Sequence, residues 1–378
     1  MMTSAKPAGV ARVIDCDVHE SPASLKLLKP YLAKQWHSYI DSKELIPNNG
    51  YTVPIGGTRK DAVRPDGSIG SSDVEQIIWQ HLDAYDITYA VLTGLLGYKF
   101  AAMPQMQLAA GLASAYNDWV IENVLSRDPR FKGSIAVAPQ LPDSAAAEID
   151  RLAGHPDIVQ VALPTSSPDL PWGHPYFHPI WEAAVRNHLR VGMHLMPPTG
   201  LQGLPNGTGW PRSYMESRSQ YPNLFEAQLI SMVCNGVFEK FPDLGIVFLE
   251  GGFGWIPSVM WRLDQSWRSL RSEVPWLKQR PSEYIRAHVR FATQPFEEPD
   301  DPRQLLSLIE MMGSDELLVF SSDYPHWDFD APANSLPPVL GKDLTEKILW
   351  GNAAKFYGLK EPAQRAGKGD AVSASTSS

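Results

Sequence analysis

The stretch Val13-Ile14-Asp15-Cys16-Asp17-Val18-His19 decides how the chain is read. Its apolar residues mark a short strand, and Asp17 and His19 stand two apart where the run stops. Residues two apart on a strand point the same way, so a carboxylate and an imidazole emerge side by side. That is half of a metal site, and the other half must come from elsewhere in the chain.

Seven further apolar, β-branched runs follow, and with the first they cover 12–19, 89–94, 131–139, 158–164, 189–196, 245–252, 289–296 and 317–326. Most are apolar on both faces, as parallel strands covered by helices should be. Between them lie segments of helical period. Val74, Ile77, Ile78, His81, Leu82 and Tyr85 form one stripe, with Ser72 and Glu75 as its capping box. Ile230, Val233, Val237 and Phe241 form a second, opened by Asn223 and ended by Pro242, and Leu305, Leu308, Ile309 and Met312 form a third. Strand then helix, eight times, predicts an α/β fold, a (β/α)8 TIM barrel. We place it in a single domain over 12–360. A doubly wound open sheet is the alternative. It fits less well, because Glu250-Gly251-Gly252-Phe253-Gly254, the nearest candidate for a phosphate loop, lacks the dinucleotide spacing.

Two stretches exceed ordinary βα loops, one over 21–72 and one over 197–222, the latter with Trp210, Arg212 and Tyr214. Both follow strand C-terminal ends, so in a barrel both overhang the active-site face. Arg59, Arg64 and Arg212 within them are candidates to meet a substrate carboxylate.

Composition narrows the classes of function. The chain has 378 residues, is 43% hydrophobic and 20% charged, and carries a net charge of -9. Without a dense Lys/Arg block, neither nucleic acid nor an anionic membrane is an expected partner. Two cysteines, Cys16 and Cys234, read as buried thiols rather than a disulfide framework. No signal-peptide pattern opens the chain and no run reaches membrane-span length, so a cytoplasmic protein is expected. Segments 1–11 and 361–378 read as disordered ends.

Three more polar residues end strands: His194 the fifth, Glu250 the sixth and Asp323 the eighth. A lone strand histidine is more often a satisfied core residue, and a lone strand-end aspartate more often a turn former. Four such residues at the same end of strands one, five and eight resist that account. In a closed barrel, strand eight neighbours strand one and strand five lies across, so Asp17, His19, His194 and Asp323 converge. Two imidazoles and one or two carboxylates suit Zn²⁺, with Mn²⁺ or Fe²⁺ as alternatives.

The chain also resembles a known family. The segments are 15–19 (Asp-Cys-Asp-Val-His), 177–184, 191–194 (Val-Gly-Met-His), 241–244, 322–326 (Ser-Asp-Tyr-Pro-His) and 351–358. Together they are similar to the amidohydrolase-related proteins, the superfamily branch with aminocarboxymuconate semialdehyde decarboxylase and γ-resorcylate decarboxylase. The resemblance runs from about residue 12 to 360. It implies a metal-dependent barrel, a homodimer or larger, with Asp17, His19, His194 and Asp323 as ligands. Strand four has no Lys to carry the carbamate that bridges two metals in other branches, so one divalent ion per chain is expected. The sequence departs from the decarboxylases at Glu250, where they carry a histidine.

The leading expectation is metal-assisted hydrolysis of a small cyclic or aromatic carbonyl compound, with Asp323 as base and Glu250 as acid. The alternatives are non-oxidative decarboxylation of an aromatic or unsaturated acid, and a non-catalytic ligand-binding barrel. Trp210, Arg212, Trp255, Tyr324 and His326 are the candidates to touch a small-molecule substrate; His326 also reads as a brace for the metal site.

Overall fold

Each of the eight runs forms a strand. In the computed structural model these are β1 (Ile14–Val18), β2 (Tyr89–Leu92), β3 (Phe131–Ala136), β4 (Ile158–Pro164), β5 (Arg190–His194), β6 (Ile246–Leu249), β7 (Val289–Ala292) and β8 (Leu318–Val319). The structure describes residues 12–41, 56–65, 67–101, 103–166, 170–196 and 211–362. All neighbouring strands pair in parallel, in the order β1 through β8. Helices separate them, so the predicted (β/α)8 barrel is what the chain builds. The two disordered ends and Trp210 lie outside the described residues, apart from 361–362. Among the described residues, no helix is long and apolar enough to cross a membrane.

The eighth run departs from expectation: only Leu318–Val319 forms a ladder. Beyond it, side chains take over the hydrogen bonds. Ser321 Oγ accepts from Gln294 N at 3.1 Å, and Ser322 N donates to Asp15 Oδ1 at 2.9 Å. The seam to β1 is nevertheless sewn. Cys16 N donates to Phe320 O at 3.0 Å, Asp323 N to Asp17 O at 3.1 Å, and His19 N to Tyr324 O at 2.8 Å.

A register shift between Asp15 and Val18 breaks the alternation of β1. Ile14 and Cys16 pack with Val91, Val247, Leu249, Ala292 and Val319 in the barrel interior, over Trp350, Ala353 and Phe356. Val18 belongs to the larger apolar layer beneath the helices. Asp15 reaches outward to His81 Nε2 at 2.7 Å. Asp17 and His19 are thereby left together at the mouth.

Three local expectations need correction. The helix Val74–Ile77 is capped by Asp73, whose carboxylate accepts from Glu75 N, while Ser72 Oγ donates to Ile69 O. The stripe from Asn223 to Phe241 is two helices, Pro222–Cys234 and Val237–Lys240, because Gly236 adopts φ 71° and ends the first. Cys16 is buried, but Cys234 is only partly so.

Candidate metal centre

Strand ends bring the four predicted residues together. Asp17, His194 and Asp323 are fully buried and His19 nearly so. One ligand atom from each of the four lies within 4.8 Å of all the others. The rings of His19 and His194 stand edge to face, with centroids 5.0 Å apart.

Neighbouring groups orient each donor. His19 Nδ1 donates to Thr93 O at 2.8 Å, which turns Nε2 towards Asp323 Oδ1 at 2.7 Å. Thr93 also donates its hydroxyl to Asp17 Oδ1. His194 Nδ1 donates to Leu195 O at 2.7 Å, which leaves Nε2 facing the cluster. Such partners fix the tautomer and aim of a metal-binding ring. Beneath them, Asp15 Oδ1 accepts from Asp17 N at 3.2 Å as well as from Ser322 N, and so ties the ligand segments to each other.

Three buried atoms of the cluster have no hydrogen-bond partner: Asp17 Oδ2, His194 Nε2 and Asp323 Oδ2. An orphaned buried acceptor costs about 1–3 kcal/mol. Three of them, from three different strand ends and gathered in one cluster, with His194 Nε2 3.4 Å from Asp17 Oδ2, fit a divalent cation. The donor set, two imidazoles and two carboxylates, suits zinc or manganese.

Glu250 stands beside this set, its Oε2 3.6 Å from His194 Nε2. Leu249 packs inside the barrel, so a regular strand would aim Glu250 outward. The backbone instead turns at Glu250 with φ 64°. Asp323 has φ 59°, so both candidate catalytic carboxyl residues occupy the left-handed region that residues other than glycine rarely adopt. Burial, reinforced by the charge of Asp323, pushes the Glu250 carboxyl well above the usual carboxylate range. Asp323 goes the other way. Burial opposes its charge, but the charge and hydrogen bonds of His326 and His19 hold it well below the usual range. His326 Nδ1 lies 2.7 Å from Asp323 Oδ1. Against its own burial, the Asp323 charge pushes His326 up to about 9.

The remaining candidates are placed less centrally. Tyr324 is buried, stacks on His81 at 4.8 Å and donates to Gln80 Oε1 at 2.8 Å. Trp255 donates its indole N–H to Gly251 O at 3.0 Å and packs edge-on against Phe291. Arg212 is exposed, with its backbone N–H bonded to Glu216. Arg59 lies 4.2 Å over the ring of Phe329 and pairs with Asp61. Arg64 donates to Gln76 and pairs with Asp73.

Sequence reading missed Thr93, Asp15, His81 and Arg218. It also passed over Glu20, which follows His19 directly. Glu20 is buried, accepts from Tyr116 Oη at 2.5 Å, and is pushed by burial up to about 8.

The Amidohydrolase family model matches residues 14–359. The γ-resorcylate decarboxylase of Polaromonas sp. is 26% identical over 260 residues, 64% of this chain and 75% of that protein. Among solved structures, the 5-carboxyvanillate decarboxylase of Sphingomonas paucimobilis superposes with a TM-score of 0.62 at 25% identity, over 92% of this chain and 99% of that one. The 5-carboxyvanillate decarboxylase of Novosphingobium aromaticivorans, solved with manganese and 4-hydroxy-3-methoxy-5-nitrobenzoic acid, shares the fold with a TM-score of 0.64 at 18% identity, over 95% of this chain and 100% of that one.

Proposed function

This chain belongs to the amidohydrolase family, and we propose that within it the protein is a metal-dependent decarboxylase of an aromatic or unsaturated carboxylic acid. The sequence put hydrolysis first and decarboxylation second. The relatives and neighbours above that carry an assigned activity are decarboxylases, which reverses that order.

In this reading Asp17, His19, His194 and Asp323 hold one divalent cation, zinc or manganese. Once bound, the ion supplies a Lewis acid that positions the carboxylate of the substrate. The observation that carries the choice of reaction is Glu250, whose carboxyl stands 3.6 Å from His194 Nε2 at the edge of the cluster, where burial and the charge of Asp323 bias it towards its protonated form. Decarboxylation needs an acid. Glu250 donates its proton to the carbon that bears the carboxylate, the bond to that carboxylate breaks, and carbon dioxide leaves. Solvent then returns a proton to Glu250. His326 and His19 keep Asp323 ionised and fixed meanwhile.

The test is carbon dioxide release by manganese- or zinc-loaded protein from a panel of hydroxybenzoates and unsaturated acids in deuterated water. We expect one deuterium at the vacated carbon of the turned-over acid. Ester or amide cleavage without any carbon dioxide would restore the hydrolase reading.

A further inference from the structure

A cavity of about 230 Å³ opens on the far side of Glu250, walled by Tyr221, Pro295 and Phe296 and edged by Arg218 and Glu297. None of the four cluster residues lines it. Glu250 joins the two places, since it lines this cavity and its Oε2 stands 3.6 Å from His194 Nε2 in the cluster.

Arg218 is held there by neighbours that leave part of its guanidinium uncommitted. Nη2 donates to Asp328 Oδ2, and the group lies 5.1 Å over the ring of Trp327. Asp328 Oδ2 is itself fixed by Gln294 Nε2 at 3.1 Å. Among the described residues, Nε and Nη1 of Arg218 make no hydrogen bond. A guanidinium has five N–H donors and no acceptor, and stays charged. Its planar fork matches the two oxygens of a carboxylate. The side chain is 29% exposed and lines the cavity. Glu297, on the opposite edge, gives Oε2 to the backbone N–H groups of Phe253 and Gly254 rather than to Arg218.

We infer that Arg218 is a specificity residue that binds a second acidic oxygen group of the substrate, carboxylate or phenol. The acid handled by this chain then carries two such groups, one lost at the cluster and one held in the cavity beside Glu250. The inference rests on the decarboxylase reading.

Calorimetric titration of manganese-loaded protein with benzoate, 3-hydroxybenzoate and isophthalate tests it. Isophthalate or 3-hydroxybenzoate, whichever carries the matching group, is expected to bind about tenfold or more tighter than benzoate, the range of a charge-assisted hydrogen bond. Arg218→Met should erase that advantage and Arg218→Lys should reduce it, with benzoate binding and metal content unchanged in both. Equal binding of the three acids by the unaltered protein would overturn the inference, even where the variants do not fold. So would an advantage that survives in Arg218→Met. Failure of all three acids to bind would also overturn it, while carbon dioxide release from the wider panel above decides the decarboxylase reading separately.

Discussion

His19 and His326 converge on a single oxygen: Nε2 of the first and Nδ1 of the second each stand 2.7 Å from Asp323 Oδ1. Their rings lie 4.6 Å apart. One carboxylate therefore holds two imidazoles in place, and its charge keeps His326 protonated up to about pH 9 in the metal-free protein.

That pair predicts a stability profile. The folded value of His326 lies above its unfolded value of about 6.5. The contribution is therefore complete below that unfolded value and is lost as pH rises through about 9. Metal-free protein should melt at progressively lower temperature from about pH 7 to 10, and His326→Gln should flatten the decline. Parallel curves for the two proteins would remove His326 from the account.

Glu250 separates chemistry from stability. Glu250→Gln keeps the shape and removes the acid, so turnover should fall about 10²–10⁴-fold, the usual reach of general acid catalysis, with metal content intact. Glu250→Gly should also be inactive, yet more resistant to urea, because glycine relieves the left-handed backbone at about 1–2 kcal/mol. Unfolding curves and turnover of both variants decide the matter. Full turnover in Glu250→Gln would exclude Glu250 as the acid.

Thr93 should set the affinity for metal without touching it. It accepts from His19 Nδ1 through its carbonyl and donates to Asp17 through its hydroxyl. Thr93→Val keeps the first contact and loses the second, and should weaken metal binding about 10–100-fold. Competition with a chromophoric chelator measures this; an unchanged Kd would show that Asp17 needs no such anchor.

Asp15 predicts a cost in stability. Replacing it with Ala strands His81 Nε2 and the N–H groups of Asp17 and Ser322 in a buried place. Urea unfolding should show a loss of about 2–5 kcal/mol. Divalent metal added at a hundredfold excess over Kd should return about 2.7 kcal/mol to any variant that still binds it.

The sequence carried the frame because the frame is local. Each strand announces itself by a β-branched apolar run, and Asp17, His19, His194 and Asp323 sit where those runs stop. Strand order then brings them together without further information. Glu250 was visible as a residue but not as a direction, since alternation after Leu249 aims it outward and only the φ of 64° turns it in. No side chain preference reveals that turn in a non-glycine residue. Asp15 and His81, 66 positions apart, read as an unremarkable strand residue and part of a helical stripe. Their pairing depends on the register shift in β1, which apolar patterning does not encode. Arg218 was overlooked for a similar reason: its importance comes from Asp328, 110 positions away. The break at Gly236 was passed over because Val237 and Phe241 continue the apolar spacing beyond it, although a glycine is an ordinary helix stop.

The seam between β8 and β1 gives the protein a schedule of synthesis. His19 and Asp323 are 304 positions apart, yet they face each other across that seam. A ribosome releases His19 early and Asp323 near the end, so no nascent fragment short of the last strand contains the whole proposed cation site. Metal capture then waits for the finished barrel, and a chain cut before Asp323 should fail to retain the ion however well its earlier strands have folded.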